Sequence, residues 1–382
     1  MAKWDWLTKP HTPYNGRFIG RVLIKAALLF VLINLAFALL KPLPTLGKLS
    51  FYNVIVLGRD RLPYGESPAQ DYSLSLNNLP AMFASHEISR PKADDEYRVI
   101  LLGDSSTWGW LLENDQTLTA QINVAELRTD DNRRVVAYNV GYPIMSLTKD
   151  LMLLDYAMKY HPDQIIWLIT LESFPREKQL YPPITQNNAP IIRRLIDSYN
   201  LNLDPNDSRL VEPDFLANTL IGQRRAIADL FRLQLYGFAW ANTGIDQNIP
   251  SDYLLRASDF DEDVSWQDYA TPQSLTENEL AFDVLRAGIE IAGDVPIVIV
   301  NEPMFISEGQ NSDLRYNAFY PRWAYDAYHD LLLNTAASEN WQFIDLWNIL
   351  PSADFTDSPV HITPEGARRL AEGLISLIES AP

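Results

Sequence analysis

The chain has 382 residues, 47% of them hydrophobic, enough to bury a sizeable core in one large domain with insertions or in two modest ones. Its 49 acidic against 31 basic residues give a formal charge of −18, which sets nucleic acid aside as a partner, because binding a phosphate backbone rests on Lys and Arg neutralising it. With no cysteines, disulfides, thiolate metal sites and a cysteine nucleophile are excluded, and the compartment must be read from elsewhere.

The N-terminus supplies it. Ala26 to Leu40 is an apolar run broken only by Asn34, extendable back to Phe18 through Arg21 and Lys25. A bilayer core takes about 20 residues, so a transmembrane anchor is expected over residues 18–40, its basic flank snorkelling to the interface. Lys3, Lys9, Arg17, Arg21 and Lys25 stand against a single acid, Asp5, which predicts a cytoplasmic tail over 1–17 and a C-terminal domain outside the membrane. A cleaved signal peptide is the alternative, since Ala36 to Ala38 resembles a cleavage site; the long charged leader counts against it. Residues 41–96, rich in Pro, Gly, Asn and Ser without a sustained period, read as a stalk and an irregular lead-in.

From residue 97 to 382 the pattern is that of an α/β domain. The runs "RVILLG", "RVVAYNVG", "QIIWLITL", "PIVIVNEP" and "QFIDLWN" alternate with helical segments near Thr117, from Ser146 to Tyr160, from Glu277 to Ala292, from Trp323 to Ala337 and from Pro364 to Ser380. Apolar strands separated by helices of that length indicate parallel crossovers, hence a three-layer, doubly wound, flavodoxin-like sheet of about five parallel strands. A largely helical insertion at about 175–275 interrupts the alternation, with its strongest helix near Asp214 to Trp240. No internal repeat is evident.

In such a sheet the sites lie beyond the carboxyl ends of the strands. The first strand ends in Gly103, Asp104 and Ser105, the second in Asn139 and Gly141, the third in Thr170 to Ser173, and the fourth in Asn301 and Glu302. The segment "DFTDSPVHITPEG" after the fifth carries Asp354, Asp357 and His361. The corner at Ser105 is either a helix cap or a nucleophile, and an activated serine needs a base, usually histidine. Of five histidines, His11 precedes the apolar run, His86 sits in the lead-in, His161 lies on the opposite rim and His329 falls within an amphipathic helix; only His361, just before the last helix, is placed on the rim of Ser105.

These residues resemble the SGNH (GDSL-like) superfamily of serine esterases and acyltransferases over roughly 97–174 and 276–380. The resemblance implies a Ser-His-Asp triad of Ser105, His361 and Asp357, with an oxyanion hole from the backbone of Ser105 and Gly141, and no cofactor or metal. Two departures stand out. The third block usually ends in an asparagine that donates to the oxyanion, and here Glu172 is near its place, so Asn301 is the expected substitute. The usual aspartate stands three residues before the histidine, whereas Asp357 stands four before, leaving Asp354 as a fallback.

The arrangement of one N-terminal anchor before such a domain is similar to a membrane-anchored branch that modifies cell-envelope polymers. That likeness implies acyl-ester substrates on polysaccharide or lipid, and a partner membrane acyltransferase. Trp108 and Trp110 could face a sugar ring or acyl chain, or could pack the first helix onto the sheet. The alternative to an enzyme is an inactive module of this fold that binds envelope polysaccharide or scaffolds a membrane complex. A metalloenzyme is a third reading, weakened by the lack of any familiar His and carboxylate ligand spacing.

Overall fold

The computed structural model describes residues 15–65 and 73–379; His11 and most of the expected tail over 1–17 lie outside them. Five strands form one all-parallel sheet: β1 (Glu96–Leu102), β2 (Arg134–Asn139), β3 (Gln164–Ile169), β4 (Ile297–Asn301) and β5 (Gln342–Asp345), in the order β2-β1-β3-β4-β5. This is a doubly wound order whose switch point lies between β1 and β3. The principal helices are α1 (Gly16–Leu40), α2 (Ser105–Trp108), α3 (Leu118–Val124), α4 (Leu147–Ala157), α5 (Ala189–Tyr199), α6 (Arg224–Thr243), α7 (Phe282–Ala292), α8 (Arg322–Ser338) and α9 (Pro364–Glu379).

The strands read as continuous apolar runs because both faces of the sheet are covered. Val99 and Leu101 of β1, with Ile166 and Leu168 of β3, point to the face where α3 and α9 supply Leu118, Ile122, Leu370 and Leu374. Their neighbours Ile100, Leu102, Ile165 and Trp167 point the other way, into a larger core built with Leu151 and Leu154 of α4, Leu285 of α7 and Tyr325 and Tyr328 of α8. The three-layer architecture expected from the sequence is thus what the chain adopts.

Within the expected stalk and lead-in over 41–96, Leu62, Tyr64, Leu74, Leu76, Met82, Phe83 and Ile88 are buried in the larger core. The lead-in has no period, but parts of its backbone pair with each other, the Arg59 N–H donating to the Ser85 carbonyl and the Glu87 N–H to that of Arg59, so single apolar side chains can be buried without a long regular element. The insertion is helical at α5 and α6, yet residues 244–281 run as irregular chain held to the main domain by side chains.

The chain divides into two units. One consists of α1 and the segment Pro213–Ala228; the other holds the lead-in, the sheet and its helices. Helix α1 is 25 residues long, with mean hydropathy 2.5 over an 18-residue stretch, long and apolar enough to cross a membrane as an anchor or to serve as a signal sequence.

Candidate active site

The corner after β1 turns tightly. Asp104 caps α2 by accepting a hydrogen bond from the Ser106 N–H at 2.7 Å, and Ser105 is the first residue of that helix. His361 and Asp357 arrive from the far end of the chain, on the loop before α9. The loop is closed by the Thr356 N–H donating to the His361 carbonyl at 2.8 Å, and Phe355 pairs with Ile362 across it. This closure sets residues 357 and 361 side by side despite the extra residue between them.

His361 Nε2 lies 2.8 Å from Ser105 Oγ, and His361 Nδ1 lies 2.8 Å from Asp357 Oδ1. All three side chains are partly exposed, so the line opens to solvent at the serine. Burial pushes the Asp357 carboxyl up, but its hydrogen bond to His361 and the imidazole charge outweigh that and hold it below the usual carboxylate range. Asp354, the fallback orienter, is buried and faces Arg369 of α9 at 3.3 Å instead.

The two further donors expected for an oxyanion are spent elsewhere. Asn301 is fully buried and its amide donates to the Tyr325 hydroxyl at 3.2 Å and to Asp345 at 2.9 Å, which uses both of its hydrogens. Its position at the end of β4 suggested the rim, but α8 closes over it. The Gly141 N–H donates to Asn139 Oδ1 at 3.1 Å, while the Asn139 amide donates to the carbonyls of Thr107 and Trp108. Gly141 is needed for close approach: a Cβ there would sit 2.7 Å from Trp108 N and 2.9 Å from Thr107 C. The Ser105 N–H makes no hydrogen bond among the described residues. Glu172 is ion-paired with Lys178 and accepts from Gln267 at 3.1 Å.

Of the two tryptophans, Trp108 is buried and donates from Nε1 to the Leu62 carbonyl at 2.8 Å, so it packs the first helix. Trp110 is half-buried with its ring 5.9 Å from that of His361, forming one wall of the site. His86 is core, its Nε2–H donating to the Asn139 carbonyl and its Nδ1 accepting from the Ile88 N–H; burial drops its pKa to about 3 and keeps it neutral. His329 pairs with Asp345, and that hydrogen bond raises its pKa. His161 ends the turn after α4.

Several residues that shape the site carry no sequence signal. Buried Arg61 donates to the carbonyls of Gly109 and Leu112 and pairs with Asp246 of the insertion at 2.6 Å, with Arg59 on the same carboxylate at 3.0 Å. Gln247 donates to the same two carbonyls and accepts from the Leu111 N–H at 3.0 Å. Nine residues on, the Arg256 N–H donates to the Thr356 carbonyl at 3.1 Å. The insertion therefore forms a strap tied at one end to the loop after Ser105 and at the other to the loop carrying Asp357.

Beneath the corner lies a buried acidic group. Glu302, at the end of β4, faces Asp104, and the Asp104 Oδ2 and both Glu302 oxygens meet no donor among the described residues. Burial first, then the charge of Asp104, raises the Glu302 carboxyl well above its usual range. Lys149, fully buried, donates to the Gly103 carbonyl at 2.9 Å and pairs with Asp150 at 2.7 Å. Burial pushes Asp150 up to about 7. Among the described residues no cluster of three or more His, Asp or Glu side chains is placed to hold a metal ion.

No family model matches the chain, and no curated protein matches it. Solved structures do match in chain path. They include a member of the lipolytic protein G-D-S-L family from Veillonella parvula, at 11% identity and TM-score 0.36 over 74% of this chain and 99% of that one. A lipase/acylhydrolase from Enterococcus faecalis matches at 13% identity and TM-score 0.37, over 74% and 95%. A carbohydrate acetylesterase family member from Sinorhizobium meliloti matches at 14% identity and TM-score 0.31, over 74% and 96%.

Proposed function

We propose that this chain is a membrane-anchored serine esterase or O-acyltransferase that works outside the membrane on acyl esters of envelope glycans or lipids. One observation carries the reading: an alcohol, an imidazole and a carboxylate from opposite ends of the chain stand in a single hydrogen-bonded line, 2.8 Å at each joint. His361 takes the proton of Ser105 as its Oγ bonds to the ester carbonyl carbon, and Asp357 fixes the tautomer that leaves Nε2 free to accept. The tetrahedral adduct collapses with the C–O bond to the alcohol breaking, and His361 returns the proton to the departing oxygen. The acyl-serine then passes to water, giving hydrolysis, or to a sugar hydroxyl, giving transfer.

The Ser105 N–H is the backbone donor offered to the oxyanion. Each missing donor costs about 10²–10³ in turnover in serine enzymes, so a slow enzyme is expected unless substrate contributes a donor. That shortage favours the second reading, a module of this fold that binds envelope polysaccharide without turnover.

Labelling of the detergent-solubilised full chain by a fluorophosphonate separates the two. Stoichiometric labelling at Ser105, lost in Ser105→Ala together with turnover of p-nitrophenyl acetate, supports the enzyme. Absent labelling of the parent chain, or labelling and turnover that persist in Ser105→Ala, overturns it. The intact mass of the mature protein shows whether α1 is retained as an anchor.

A further inference from the structure

Asn34 is the one polar residue in the apolar run of α1 from Ala26 to Leu40, and it is not idle. Its amide donates to the Phe30 carbonyl at 2.9 Å, and its Oδ1 accepts from the Ile221 N–H at 3.2 Å. Ile221 belongs to the segment Pro213–Ala228, which forms one unit with α1. Asn34, one of the two buried residues of α1, is therefore a point where the insertion meets the helix. Seven residues separate Asn34 from Lys41 just past the helix end, which at 1.5 Å each places this contact about 10 Å down the helix.

The segment has the composition of something that enters lipid. Phe215 to Gln223 holds no charged residue, and Phe215, Leu216, Leu220 and Ile221 are 50%, 72%, 36% and 48% exposed. It is bracketed by Asp214 on one side and by Arg224 and Arg225 on the other, and basic side chains at such a boundary reach headgroup phosphates. Polar backbone at lipid depth must find its partners internally, and here much of it does. Asn218 N–H donates to the Asp214 carbonyl, Thr219 N–H to that of Leu216, Gln223 N–H to that of Thr219, and Gly222 N–H to the Thr219 hydroxyl. The Gln223 and Asn218 amides also bond back to carbonyls of the same segment.

We infer that Phe215–Gln223 is a second membrane element, inserting beside α1 to the depth of the headgroup and upper acyl region, with the Asn34–Ile221 hydrogen bond as its seat. The inference rests on the reading of α1 as a retained anchor. Four aliphatic or aromatic side chains facing outward beside a bilayer-spanning helix would otherwise stand in water. Interfacial segments of this kind bury about 5–10 Å deep, which matches the position of the contact on α1. The occupant of this surface is thus the bilayer.

The chain has no cysteine, so single cysteines report cleanly. The full chain carrying Leu28→Cys (in α1), Leu216→Cys or Val124→Cys (an exposed residue of α3) is labelled with an environment-sensitive fluorophore and reconstituted into phosphatidylcholine–phosphatidylglycerol vesicles. Each is then quenched with nitroxide lipids or with aqueous iodide. The expected result is lipid quenching at residue 216 several times that at 124 and approaching that at 28, with residue 124 quenched by iodide. Replacing Asn34 by Leu should lower lipid quenching at 216 while leaving 28 unchanged.

If residue 28 is in lipid and residue 216 behaves like 124, the second element is wrong and the anchor stands. If the protein fails to float with vesicles and residue 28 is itself quenched by iodide, the anchor reading falls and takes the inference with it. A heat-unfolding midpoint equal to that of the parent shows that each labelled variant is folded.

Discussion

Asp357 reaches His361 across four residues because Thr356 and His361 are hydrogen-bonded through their backbones, so the residues after and at those positions face the same way. Asp357→Asn should then lower kcat/KM by roughly 10⁴-fold, since an amide there favours the wrong imidazole tautomer. Asp354→Asn, whose carboxylate faces Arg369 instead, should change it by no more than a few-fold, and the reverse order would make Asp354 the orienter. Glu302 gives a test of a different kind. Its folded-state pKa is raised, so the stability it contributes is full below the unfolded value and declines as pH climbs from there toward the folded value. Glu302→Gln keeps a donor for Asp104 and cannot ionise. Urea unfolding should show it gaining on the parent as pH rises from 5 to 9, by up to about 1.4 kcal/mol per pH unit while the pH lies between the two values. A difference that does not vary with pH would mean that Glu302 is already ionised in the folded protein.

Among the elements, the turn after β1 depends on how closely β2 approaches it. Gly141→Ala sets a Cβ 2.7 Å from a backbone nitrogen of α2, which cannot retreat without moving Ser105, so turnover should fall by about 10²-fold with the protein still folded by circular dichroism. The strands and their following helices were legible because burial on both faces leaves unbroken apolar runs such as "QIIWLI", and Ser105, Asp357 and His361 were singled out because one stands at the end of the first strand and the other two just before the last helix, as the resemblance implies. What pins them was not. Gln247 grips the loop after Ser105 from 135 and 138 positions away, and nothing local distinguishes it from any loop glutamine. Asn301 and Gly141 misled for a related reason: strand-end position says where a residue starts, while the direction of its N–H is decided by Tyr325 and Asn139, which a one-dimensional reading does not weigh. Gln247→Ala offers the complementary test, expected to lower kcat about tenfold by leaving the carbonyls of Gly109 and Leu112 to Arg61 alone and the Leu111 N–H without its acceptor, with thermal stability close to that of the parent.

At the scale of the whole molecule, three stretches remote in sequence meet at one buried carboxylate. Asp246 of the insertion receives Arg59 and Arg61 of the lead-in, and Arg61 in turn holds the loop after Ser105. Burial alone would push Asp246 up, but the two guanidinium groups outweigh it and keep the carboxyl below its usual range. Such a cluster gains little over apolar packing when whole, yet it is costly to break in half, because the charges left behind stay out of water. Asp246→Ala should therefore destabilise the domain by about 3–5 kcal/mol in urea unfolding. Because the lead-in and the nucleophile loop share Arg61, fluorophosphonate labelling at Ser105 should slow in the fraction that remains folded. Replacing all three residues together, Arg59→Leu, Arg61→Met and Asp246→Leu, should recover most of the stability, since no stranded charge remains, but not the labelling rate, because the carbonyls of Gly109 and Leu112 would still lack Arg61. Stability and labelling recovering together would show that the cluster only glues the lead-in to the sheet; their separation would show that it also aims the nucleophile.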